Sequence, residues 1–138
     1  MFLENYAKVT SDTTDAPKQY NEYLAYLTLS TCVGNRVYLR EGADFIHPNL
    51  WLILVGASSS YRKSTCLGMC ERMVMDVQKE LVYPSEFSQE AILENMSQQN
   101  VGVFFYYEFA SLLGVLSSTY NMGAKAMLTH LFDCPPRY

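Results

Sequence analysis

Charge is scarce in this chain of 138 residues: ten basic and fourteen acidic side chains make up 17% of it, below the roughly 25% usual for soluble domains. The net charge of −4 lacks the global basic signature of a nucleic-acid binder. That leaves any DNA contact to other segments of a longer protein. Long apolar runs are missing as well. The longest, Leu50 to Ala57, has a glycine inside it, whereas a membrane span needs about 20 mostly apolar residues. Met1-Phe2-Leu3-Glu4-Asn5 has neither the basic start nor the long apolar core of a signal peptide. The four cysteines, Cys32, Cys66, Cys70 and Cys134, form no CxxC pair, and His47 and His130 lie far from them. This argues against zinc and for reduced thiols in a cytoplasmic protein without a membrane partner.

What is present is an ordinary apolar share, 49%, enough to exclude a disordered tail and to suit one domain or a piece of one. With so few charges to cover its surface, the chain suits a domain that leans on further chain. No repeat or low-complexity tract occurs.

Residues 2–8 suit a short helix before a polar loop at 10–14. Asp15-Ala16-Pro17 reads as a helix start with the acid as cap. Tyr20, Tyr23, Leu24, Leu27 and Thr31 fall on one helical face, and Gly34-Asn35 supplies the stop. Residues 36–40 alternate as a half-exposed strand, 41–44 form a turn, and Phe45-Ile46 return. Leu50 to Val55 is apolar on both faces, the pattern of a central parallel strand. Residues 63–81 carry the clearest helical stripe: Leu67, Cys70, Met73, Val74, Val77 and Leu81. Ser88 caps a short helix, residues 101–107 read as a second buried strand, and two helices follow, the last over about 123–132. Segment order in the second half is α/β in character.

Between the first buried strand and its helix lies Gly56-Ala57-Ser58-Ser59-Ser60-Tyr61-Arg62-Lys63-Ser64-Thr65. Small residues let a backbone wrap phosphate oxygens, and the free N–H groups and dipole of a helix start favour an anion. A lysine there meets the β- and γ-phosphates, and the next hydroxyl ligates Mg²⁺. The usual spacing is G-x-x-x-x-G-K-[ST]. Here Arg62 replaces the second glycine, and Gly56 precedes Lys63 by seven positions, one more than the pattern. Gly56 and residues 58–65 are the candidate ATP contacts, with Tyr61 also placed to stack on a base. Glu108, closing the apolar run 101–107, is the candidate catalytic acid beside Lys63. Ser64 and Glu108 are the candidate Mg²⁺ ligands.

Asn49 to Gly56, Ser58 and Arg62-Lys63-Ser64-Thr65 resemble the phosphate loop of P-loop NTPases carried by phages, plasmids and other mobile elements. Tyr107-Glu108-Phe109-Ala110-Ser111-Leu112-Leu113 is similar to their acidic strand end. The resemblance implies the N-terminal portion of a RecA- or AAA-like α/β core at 36–138, incomplete, preceded by a helical extension at 1–35. It also implies an ATP-binding, ATP-hydrolysing domain of a helicase-like DNA replication protein, with ATP and Mg²⁺ as cofactors, DNA bound through the full-length protein, and homo-oligomers. Another P-loop enzyme, such as a kinase or a partition-type ATPase, or a non-catalytic nucleotide-binding module, are the alternatives.

Overall fold

A computed structural model describes residues 1–57, 60–85 and 88–134. Helices account for most of them: α1 Phe2–Thr13, α2 Lys18–Val33, α3 Lys63–Val77, α4 Gln89–Gln98, α5 Phe109–Ser117 and α6 Ala124–Phe132. A single sheet is formed among the described residues, the antiparallel hairpin of β1 Leu39–Glu41 and β2 Asp44–Ile46, registered Leu39 to Ile46 and Glu41 to Asp44. Gly42 turns that hairpin at φ +63°.

The expected RecA- or AAA-like α/β core is therefore overturned. Residues 50–55 run toward the loop without a strand partner. Residues 101–107 make one isolated parallel bridge, Val103 to Val82, with Tyr83 N–H donating to Val103 O at 3.0 Å and Val103 N–H to Leu81 O at 2.8 Å. An apolar run becomes a central strand only when neighbours satisfy its backbone on both edges and layers cover both faces. Here Leu52 and Leu54 pack on the core, while Trp51, Ile53 and Val55 are 65%, 57% and 80% exposed.

The core is helical. Tyr6 of α1, Leu24 and Leu27 of α2, and Cys66, Cys70 and Val74 of α3 are buried together with Leu81 and Phe105. α2 lies between α1 and α3 and packs on both. Cys70 Sγ sits 3.2 Å from Thr28 Oγ1 and 3.6 Å from Leu24 O, so a thiol and a hydroxyl close the α2–α3 contact. Burial pushes the Cys70 thiol above its ordinary range.

Several boundaries moved for local reasons. α1 continues through the polar 10–13 because Thr10 and Thr13 hydroxyls donate back to Tyr6 O at 2.8 Å and Val9 O at 2.7 Å, which satisfies them inside the helix. α2 begins after Pro17 with no side-chain cap, so Asp15 is not the cap its position suggested. On its face Asn21 is buried and Tyr23 is 57% exposed, a rotation from the expected stripe. α3 ends at Val77 rather than 81, and a 3₁₀ turn at Lys79–Leu81 returns Leu81 to the core. Gly34 stops α2 as expected, at φ +58°, where an added Cβ would lie 2.5 Å from Val101 Cγ1. Ser88 caps α4, accepting from Ala91 N–H at 3.1 Å.

Candidate nucleotide-loop site

Residues 49–57 reach the loop along a fixed path. Ser30 Oγ donates to Pro48 O, Asn49 Nδ2 donates to Phe132 O, and the Trp51 and Phe132 rings meet edge-on at 5.3 Å. Leu52 and Leu54 then anchor the segment to the core.

At the loop itself, Tyr20 Oη donates to Val55 O at 2.5 Å. Lys63 Nζ donates to Gly56 O at 2.5 Å and Ala57 O at 3.2 Å. Glycine at 56 lets the two rings approach closely, because a Cβ there would lie 2.5 Å from Tyr20 Oη and 2.9 Å from Tyr61 Cδ2 and one of those side chains would have to shift. Ser58 and Ser59 lie outside the described residues. Ser60 and Tyr61 are exposed, and the Tyr61 ring tilts against Tyr20 at 6.4 Å. Arg62 is the residue before α3, in the left-handed region at φ 49°, ψ 32°. A non-glycine residue there costs about 1–2 kcal/mol. Arg62 thus carries the backbone conformation usual for glycine, and its Nε reaches Asp15 Oδ1 at 3.2 Å.

Lys63 is half-buried, while Ser64 and Thr65 are exposed in the first turn of α3. No side chain caps that turn and it holds no acid. The first intrahelical bond is Cys66 N–H to Arg62 O at 3.1 Å, so the N–H groups before it belong to the four that a helix start leaves free. A partly screened ammonium, an uncapped helix start and adjacent hydroxyls form a donor set that suits a polyphosphate. The hydroxyls of Ser64 and Thr65 also suit a hard cation carried in on phosphate.

Glu108 precedes α5, exposed, with no cap bond from its side chain. Among the described residues no hydrogen bond or ion pair joins it to Lys63, Ser64 or Thr65. Its neighbour Tyr107 reaches α3 instead, donating to Glu71 Oε2 at 2.5 Å and lying 3.3 Å from the Cβ position of Gly68. Burial, followed by the Glu71 carboxylate, pushes the Tyr107 phenol up to about 12. Glu71 is eight residues past Lys63, about 12 Å along the helix axis at ~1.5 Å per residue. No group of three or more His, Cys, Asp and Glu able to hold a metal occurs among the described residues.

Two partners of the loop, Asp15 and Tyr20, were assigned other parts on sequence grounds, a cap and a core position. They stand 47 and 35 residues from the groups they contact, beyond the reach of any local spacing rule.

Among the described residues, no helix is long and apolar enough to cross a membrane. No protein-family model matches the chain, no curated protein matches it, and no solved structure matches its fold.

Proposed function

We propose that residues 56–65 bind the phosphates of ATP, with Lys63 as the principal cation. What carries this reading is the Lys63 ammonium at an uncapped, acid-free helix start, resting on two carbonyls of its own loop. Those carbonyl bonds keep the charge beside the free N–H groups until an anion replaces them. The Ser64 hydroxyl is placed to ligate Mg²⁺, which neutralises phosphate charge when bound. Thr65, Ser60 and Tyr61 line the exposed rim.

The resemblance to P-loop NTPases of mobile elements extends the proposal to ATP hydrolysis in a helicase-like replication protein. DNA would be bound through a longer chain, and homo-oligomers would form. In that setting Glu108 orients the attacking water. The Tyr107–Glu71 hydrogen bond, which ties the neighbouring residue to a later turn of α3, favours a second reading in which the chain binds nucleotide without hydrolysing it.

Titration with a fluorescent ATP analogue and Mg²⁺ tests the first claim. Saturable binding should weaken about 10- to 100-fold in Lys63→Ala, the loss expected for one charge-assisted contact. Equal binding by the variant refutes the proposal. In a longer protein that hydrolyses ATP, Glu108→Gln should abolish turnover and spare binding; no turnover in either form favours the binding-only reading.

A further inference from the structure

Three successive carbonyl oxygens at the start of the loop are held by side chains: Val55 O by Tyr20, and Gly56 O and Ala57 O by Lys63. The two donors differ in what they can do next. Lysine carries its charge on a flexible four-carbon stem and must leave those carbonyls to meet a phosphate. The tyrosine hydroxyl sits on a rigid ring in the first turn of α2. One face of the following turns of that helix is buried, with Leu24 fully so and Thr28 against Cys70 of α3. The ring also lies against Tyr61, and its oxygen occupies the space a Gly56 side chain would need. The Asp15–Arg62 pair ties the same region to the loop, but both partners are exposed, at 76% and 57%, and such pairs hold little.

We infer that Tyr20 is a positioning residue of the loop. Its hydroxyl fixes the Val55–Gly56 peptide, so the backbone keeps its path when Lys63 turns from Gly56 and Ala57 to an anion. The inference rests on the reading of residues 56–65 as a phosphate site. It gives α2 a part in nucleotide binding that no motif in the loop reveals.

Tyr20→Phe keeps the ring and removes the donor, and Tyr23→Phe removes an exposed hydroxyl from the same helix as a control. With the fluorescent ATP analogue and Mg²⁺, Tyr20→Phe should bind roughly 5-fold more weakly than wild type, the size of one net hydrogen bond. Tyr23→Phe should match wild type. Amide hydrogen exchange separates a local release of the loop from a general loss of stability, and the weaker binding shows that the loop's path matters to the anion. In Tyr20→Phe, residues 56–62 should exchange faster, while α2 and α3 keep their protection.

Loss of binding in Lys63→Ala with Tyr20→Phe equal to wild type overturns the inference and leaves the phosphate site standing. If folded wild-type protein fails to bind, the phosphate reading falls, and exchange then judges Tyr20 alone. Unchanged loop exchange in Tyr20→Phe overturns its positioning role in either case.

Discussion

α3 and α5 invert the relation expected between apolar sequence and burial. α5 has six apolar residues in nine and buries none, whereas α3 has eight in fifteen and buries Cys66, Met69, Cys70 and Val74. Phe109 and Leu113 of α5 remain 47% and 45% exposed. The difference lies in what stands opposite. α3 faces α2, where Cys70 meets the Thr28 hydroxyl and the Leu24 carbonyl. α5 has no comparable neighbour among the described residues. Apolar side chains supply a driving force, and a partner surface decides whether it is spent. The loop with the candidate cation is rooted in the packed region, and the candidate acid Glu108 stands at the start of the uncovered helix.

The largest test of this contrast is a pair of truncations. Leu24→Ala should cost about 3 kcal/mol of unfolding free energy, in the usual range for a buried leucine. Leu113→Ala should stay within about 0.5 kcal/mol. Urea unfolding measures both, and an equal cost would show that α5 is packed in solution. A glycine pair gives a smaller effect with opposite signs. Gly34→Ala forces a left-handed φ and a contact with Val101, and should destabilise by about 1–2 kcal/mol. Gly114, inside α5 with nothing within 4 Å of an added Cβ, should gain about 0.5–1 kcal/mol as alanine. Thermal melts of the two variants should move in opposite directions.

The last effect shows only at alkaline pH. Burial pushes Tyr83 up to about 12, and its hydroxyl donates to Gln99 O. The folded state therefore holds this proton more tightly than the unfolded chain does, near 10. The resulting stability is complete below pH ~10 and is lost as pH rises toward ~12. Tyr83→Phe should flatten that part of an alkaline denaturation curve, whereas a Tyr83→Phe curve that falls as wild type does would place the titrating group elsewhere.

Local signals were legible where one or two residues decide the outcome. Gly34 ended α2, Gly42 turned the hairpin and Ser88 capped α4 through backbone rules that act within a few positions. The start of α3 directly after Arg62 was also readable, because small residues give way there to a strong helical stripe. The hydrophobic stripes were right about which helices exist and less exact about their faces, as the exchange of Tyr23 for Asn21 in α2 shows. The α/β expectation failed because an apolar run such as Leu50 to Val55 states a preference for extended, covered backbone. It says nothing of whether strands will arrive on either side.

By itself, then, the sequence determined which helices form, the stop of α2 at Gly34 and the placing of a lysine and two hydroxyls at the start of α3. These depend on interactions a few residues apart. Only the tertiary structure decided that residues 50–55 stay unpaired, that Tyr20 holds Val55, that Asp15 meets Arg62 and that Tyr107 reaches Glu71. Each of these contacts joins residues at least 35 positions apart, and is set by how α2 and α3 pack around one core rather than by any spacing along the chain.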